Sequence, residues 1–139
     1  MGEPCKERAL VFAGAFNPIT IAHLERARYA LSYVHYDKVV FVPSKSSYIK
    51  NIQEKDFAYS DKERLRRLSL VKQDYPFREV SDYELKQKNQ PKTYLTLKEI
   101  SKSYQKVSLL IGSDKLIELE TGWKYVNEIG QEFGFVVRS

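Results

Sequence analysis

Three short apolar runs constrain the fold more than anything else in this chain: Ala9-Leu10-Val11-Phe12-Ala13, Val39-Val40-Phe41-Val42 and Val107-Ser108-Leu109-Leu110-Ile111. A strand with one wet face alternates apolar and polar residues. A continuous run implies burial on both faces, which a parallel sheet covered by helices on each side provides. Each run stops at a breaker: Gly14, Pro43 and Gly112. Between the first two, Ile21, Leu24, Ala27, Leu31 and Val34 recur at helical spacing behind Thr20, an acceptable N-cap. Strand, helix and strand in this order form a βαβ unit with parallel strands and a right-handed crossover.

The alternation continues along the chain. Residues 44–59 are polar and carry no regular period. Ser60-Asp61-Lys62-Glu63 is a capping box that opens a helix with Leu65, Leu68 and Val71 on one face. Phe77 to Ser81 is expected to be a strand and Asp82 to Lys92 a charged loop. Thr93 to Tyr104 follows as a helix that turns Tyr94, Leu97, Ile100 and Tyr104 inward. After the run at 107–111 come a short helix, the stretch Trp123 to Ile129, and a last strand within Phe133 to Arg138. The pattern predicts a Rossmann-like, doubly wound α/β domain: a mainly parallel five-stranded sheet with helices on both faces.

A chain of 139 residues, 42% hydrophobic and 29% charged, holds one core and has no room for a second domain. Cys5 is the single cysteine, so no internal disulfide scaffold exists. No stretch approaches the roughly 20 apolar residues of a spanning helix. The start, Met1 to Lys6, has neither a signal-peptide core nor a myristoylation pattern. The expectation is a cytoplasmic protein that uses no membrane. Its net charge of +5 favours anionic partners without choosing among them. The basic run Lys62, Arg64, Arg66, Arg67 and Lys72 is read as a solvated outer face of its helix, so nucleic acid is not an expected partner. Phosphate-loop and dinucleotide-fingerprint glycine patterns are missing, and two histidines and one cysteine at unrelated spacings make no zinc site.

In a doubly wound fold, ligands bind beyond the carboxyl ends of the strands, where strand order reverses. Two segments sit at such ends: Gly14 to His23, and Gly112-Ser113-Asp114. A glycine after a buried strand lets backbone amides approach a phosphate. Thr20 and His23 stand one helical turn apart at a helix N-terminus, where the dipole favours negative charge. Such a segment suits a triphosphate. Taken singly, Gly14 reads equally well as a simple turn and His23 as a satisfied surface histidine.

The string Gly14-Ala15-Phe16-Asn17-Pro18-Ile19-Thr20-Ile21-Ala22-His23 resembles the signature of the nucleotidyltransferase superfamily with the (His/Thr)-x-x-His motif. Among its members, the chain most resembles the nicotinate/nicotinamide mononucleotide adenylyltransferases. Phe41-Val42-Pro43 with its downstream lysines, Glu63-Arg64-Leu65, Thr93 to Leu97, Leu110 to Asp114 with Trp123, and Phe135 to Arg138 extend the likeness over residues 9–138. Thr20 stands where the bacterial form has histidine, and Ala22 where it has glycine. The family's Ile-Ser-(Ser/Thr)-x-x-Arg motif does not occur before Ser139. The expectation is therefore one domain over 1–139, truncated at its C-terminus relative to the family.

The resemblance implies adenylyl transfer from ATP to the phosphate of a nicotinate or nicotinamide mononucleotide, giving a dinucleotide and pyrophosphate, with Mg²⁺ accompanying ATP. It implies that His23, Thr20 and Lys50 act on the reacting phosphates. Gly14, Ala15, Phe16, Gly112, Asp114 and Arg138 would hold the nucleotide, and Asn17, Lys45, Thr93 and Trp123 the acceptor. Blander readings stand beside several of these: a helix N-cap for Asp114 and Thr93, core packing for Trp123, a loose terminus for Arg138. Another phosphate acceptor, such as phosphopantetheine, is the alternative substrate, and an inactive nucleotide-binding module is the alternative class. Self-association into a homo-oligomer is left open.

Overall fold

A computed structural model describes residues 7–14, 16, 19–45, 60–70, 77–89, 91–112 and 126–138. Its elements in chain order are β1 (Arg8–Gly14), α1 (Ile21–Tyr33), β2 (Lys38–Pro43), α2 (Asp61–Leu70), β3 (Arg78–Val80), α3 (Tyr83–Lys86), α4 (Thr93–Ser101), β4 (Lys106–Gly112), α5 (Val126–Glu132) and β5 (Phe135–Arg138). The strands pair in the order β3-β2-β1-β4-β5, every pairing parallel. Strand order therefore reverses between β1 and β4, as the doubly wound reading requires.

The apolar runs divide by face, two cores from one set of strands. Ala9, Val11, Val40, Val42, Val107, Leu109 and Ile111 pack under Leu97 and Ile100 of α4 and Ile129 of α5. Leu10, Phe12, Val39, Phe41 and Leu110 point the other way, onto Leu24, Ala27 and Ala30 of α1 and Leu68 of α2. This period-two division explains why the runs show no polar alternation: both faces are dry. Ser108, the one polar residue in the third run, is buried because its hydroxyl donates to the Phe133 carbonyl (2.6 Å) and lies 2.6 Å from the Tyr36 hydroxyl.

Several local expectations change. Ile21 is 72% exposed, because α1 turns its inward stripe through Leu24, Ala27 and Ala30 and its first residue falls outside that stripe. The segment expected as a charged loop contains α3, pinned by Glu84, whose buried carboxylate accepts a 2.7 Å hydrogen bond from the Thr96 hydroxyl on α4. Helix α4 ends at Ser101, so Tyr104 lies beyond it, still half-buried against the core. At the exit of α5, Gly134 takes φ +85, a conformation that costs a side-chain-bearing residue about 1–2 kcal/mol, and its N–H caps the Ile129 carbonyl at 2.8 Å. Val71, expected on the apolar face of the second helix, lies outside the described residues.

The basic run on α2 is not a uniform outer face. Arg66 and Arg67 are solvent-facing or half-buried and share the Glu63 carboxylate at 2.6–3.0 Å, but Arg64 is fully buried. It lies one turn before Leu68, on the stripe that meets the sheet, so its charge is carried inward with that stripe.

Candidate functional site

The two strands at the reversal point part at their carboxyl ends. Pairing of β1 with β4 runs from Arg8–Lys106 to Val11–Leu109 and stops there, although the strands continue to Gly14 and Gly112. On the outer sides the ladders persist to the last residues, Gly14 with Pro43 and Gly112 with Arg138. The sheet thus splits along its centre line. Residues 12–14 and 110–112 form the two sides of the opening, and ligands of doubly wound folds occupy this position.

The bend that leaves β1 is built on aromatic rings. Phe16 adopts φ +45, a left-handed conformation that phenylalanine rarely takes. Its ring is held edge-on to Phe12 (5.3 Å between centroids), Phe41 (5.5 Å) and His23 (5.2 Å). Phe16 is 2% exposed, so burial of a large ring offsets a backbone cost of about 1–3 kcal/mol. A Cβ on Gly14 would meet that ring at 3.5 Å, an ordinary contact.

Thr20 and His23 close a capping box at the start of α1, with histidine where glutamate or glutamine is usual. The Thr20 N–H donates to His23 Nδ1 at 3.0 Å, and the Thr20 hydroxyl lies 2.9 Å from the same nitrogen. The His23 N–H points back to the Thr20 hydroxyl oxygen at 3.4 Å. An Nδ1 that accepts from a backbone N–H carries no proton, so the ring hydrogen resides on Nε2. Burial pushes the imidazole below its ordinary pKa, and the charge on Arg26 adds to that effect. His23 is therefore a neutral Nε2–H donor whose ring orientation is set by Thr20. The Thr20 hydroxyl, expected as an independent phosphate donor, here serves the imidazole.

On the other side of β1, the Gly14 carbonyl accepts from the Ser44 N–H (2.9 Å) and hydroxyl (3.3 Å). The Ser44 carbonyl in turn accepts from the buried Arg64 guanidinium, which also pairs with Asp61 at 2.8 Å. Lys45, the next residue, donates its ammonium to the Leu85 carbonyl of α3 at 3.1 Å. Thr93 is the first residue of α4 and Lys92 holds the N-cap position without a side-chain capping bond, so Thr93 is not itself the N-cap. Gly112 and Arg138 end paired strands on the far side of the opening. Ala15, Asn17, Lys50, Asp114 and Trp123 lie outside the described residues. The structure thus brings Gly14, Phe16, Thr20 and His23 together, with Gly112 across the split.

The sequence pattern places Arg64 on a solvated face and Ser44 in an irregular segment, and the structure buries both. A signal existed for the first: Asp61, Arg64, Leu65 and Leu68 are spaced to share one helical face. Among the described residues, no cluster of His, Cys, Asp or Glu could hold a metal ion, and no helix is long and apolar enough to cross a membrane.

Comparison with known proteins agrees with this geometry. Residues 11–139 match the family model described as cytidylyltransferase-like. A Caldicellulosiruptor saccharolyticus protein named as a probable nicotinate-nucleotide adenylyltransferase is 36% identical over 130 residues, which cover 94% of this chain and 64% of that one. A Staphylococcus haemolyticus protein of the same name is 30% identical over 134 residues, covering 95% of this chain and 68% of its own length. The chain thus spans about two thirds of these relatives. Among solved structures, one from Vibrio parahaemolyticus superposes with a TM-score of 0.71 at 21% identity, covering 95% of this chain and 73% of that one. The Plasmodium falciparum nicotinic acid mononucleotide adenylyltransferase, in a complex with NaAD, superposes with a TM-score of 0.64 at 14% identity, covering 94% and 74%. A five-stranded parallel sheet split at its reversal point, a (Thr)-x-x-His box at the split and a family match over nearly the whole length agree: the chain belongs to the cytidylyltransferase-like family, among relatives named nicotinate-nucleotide adenylyltransferase.

Proposed function

We propose that this chain catalyses adenylyl transfer from ATP to the phosphate of nicotinate or nicotinamide mononucleotide, giving the dinucleotide and pyrophosphate. The observation that carries the reading is the His23 imidazole, fixed by Thr20 as a neutral Nε2–H donor beside the split between β1 and β4. A phosphate oxygen of the mononucleotide attacks the α-phosphorus of ATP. The bond from that phosphorus to the bridging oxygen breaks, and pyrophosphate leaves with the electron pair. A phosphate monoester has a second pKa near 6, so it is largely dianionic at neutral pH and needs no general base. Catalysis then rests on alignment and on donors aimed at the phosphates.

In this reading His23 donates to the phosphates through Nε2, and the bend from Gly14 through Phe16 presents backbone to them. Gly112 meets the nucleotide from across the split, with Arg138 at the neighbouring strand end, and Asp114, two residues further along the sequence, is assigned to the nucleotide as well. Asn17, Thr93 and Trp123 hold the acceptor, and Lys45 and Lys50 belong to the basic segment after β2. Mg²⁺ arrives with ATP as part of the substrate, because hard phosphate oxygens and water satisfy it without a protein cage. The names of the relatives favour the pyridine mononucleotide over other phosphate acceptors. The soluble, cytoplasmic setting and the absence of a nucleic-acid partner remain part of the same proposal.

The test is purified protein with Mg-ATP and, in separate reactions, nicotinate mononucleotide, nicotinamide mononucleotide and phosphopantetheine, with pyrophosphate release measured. Dinucleotide formed with a pyridine mononucleotide alone supports the proposal. Turnover with phosphopantetheine instead, or calorimetric ATP binding without turnover on any acceptor, overturns it in favour of the corresponding alternative.

A further inference from the structure

Arg64 is a cation buried completely in the wall of the site, and nothing in the proposed chemistry employs it. Among the described residues, its guanidinium donates to the carboxylate of Asp61, one turn back on α2, and to the backbone carbonyl of Ser44, just beyond β2. Burial alone lowers its pKa, and the Asp61 carboxylate works against that shift. A charge placed so deeply costs several kcal/mol unless it is paired and hydrogen-bonded, and the contacts with Asp61 and Ser44 help to make the position tenable.

The contact with Ser44 has a consequence at the site. Ser44 is itself buried, and its N–H and hydroxyl both donate to the Gly14 carbonyl, at 2.9 and 3.3 Å. Gly14 is the last residue of β1 and Phe16 begins the strained bend that sits on His23. Arg64, Ser44 and Gly14 therefore form an unbroken polar chain from α2 to the bend. The link through Ser44 is geometric: the guanidinium holds its carbonyl, and the N–H and hydroxyl of the same buried residue hold the Gly14 carbonyl.

We propose that Arg64 is a positioning residue: through Ser44 it fixes the Gly14 peptide, and with it the bend that receives the phosphates of ATP. The proposal rests on the nucleotide-binding reading above. It assigns a role to a side chain that meets no reacting atom. It also predicts that disturbing Arg64 acts on ATP and leaves the acceptor alone.

The experiment compares wild type, Arg64→Met, Arg64→Lys and Arg66→Met, the last on the exposed side of the same helix. Each is measured by calorimetric titration with Mg-ATP, by steady-state kinetics in both substrates, and by thermal unfolding. Arg64→Met should weaken Mg-ATP binding and raise its KM by about tenfold, with the KM for nicotinate mononucleotide within about twofold of wild type. Arg64→Lys, which keeps one charged donor, should recover part of that loss. Arg66→Met should match wild type. Should Arg64→Met not fold, Arg64→Lys alone decides, with an expected loss of about threefold in ATP affinity. Wild-type ATP affinity in either folded Arg64 variant overturns the proposal, as do equal losses for both substrates, which would mark a merely structural role. A wild type that binds Mg-ATP but transfers nothing defeats the functional reading, and the Arg64 role is then judged on ATP affinity alone. A wild type that does not bind Mg-ATP defeats both.

Discussion

The box formed by Thr20 and His23 does two jobs with one set of hydrogen bonds. It satisfies orphan N–H groups at the start of α1, and it holds the imidazole in a single tautomer. Removing a preorganised donor from a phosphate-transfer site costs about 10²-fold or more in kcat, so His23→Ala should show that loss. An unchanged rate would take His23 out of the chemistry. The same contacts give a pH signature. The folded-state pKa of His23 lies below 6.5, so the unfolded chain takes up the proton first as pH falls. Stability is therefore unaffected above pH 6.5 and declines below it, until the lower folded pKa is passed. Thermal unfolding between pH 7.5 and pH 5 should show a larger fall for wild type than for His23→Gln. At this scale the candidate segment was legible, because Gly-x-Phe-Asn-Pro-x-Thr-x-x-His is a local string. The tautomer was not, since it depends on which atom of Thr20 the ring meets.

Two carboxylates on the first turn of α2 separate local from tertiary electrostatics. Glu63 pairs with Arg66 and Arg67 at the surface, whereas Asp61, about one third exposed, faces the buried Arg64. Glu63→Gln should leave stability close to that of wild type, because surface pairs of this kind contribute little. Asp61→Asn leaves a buried guanidinium short of its counter-charge and should cost about 2 kcal/mol, less than for a fully buried pair because water reaches Asp61. Equal effects in denaturant titrations would contradict the assignment. Across the sheet, Ser108→Ala removes a donor from the Phe133 carbonyl and a partner from Tyr36, and should cost about 1–3 kcal/mol. The periodicity of α2 was readable, but Arg64 was misplaced with its charged neighbours. Charge argues for solvent, and the bond to the Ser44 carbonyl, twenty residues away, together with the Asp61 carboxylate helps burial to win here.

For the whole molecule, the +5 charge of the chain would favour the polyanionic substrate proposed for it. If ATP is drawn to the split in the sheet by that field, raising ionic strength from 50 to 300 mM should lower kcat/KM for ATP more than it lowers kcat, since screening acts on encounter. A salt-independent kcat/KM would remove long-range steering from the account. The five-strand order was only partly foreseeable. Buried runs announce parallel strands and crossovers, yet 3-2-1-4-5 follows from which faces of α1, α2, α4 and α5 found apolar partners.

What the sequence determined by itself was everything that repeats within a few residues: strands dry on both faces, helices with apolar stripes, a box that caps α1, and a family string between Gly14 and His23. These follow from pleat and helix periods and from near-neighbour hydrogen bonds, which are properties of short segments. Tertiary structure alone decided the parting of β1 from β4, the strained Phe16 seated on three rings, and the inward turn of Arg64 toward Ser44. The paired and parted strands, the seat of Phe16 on Phe41 and the Arg64–Ser44 bond join residues far apart in the chain, and a contact of that kind exists only once the sheet has brought its partners together.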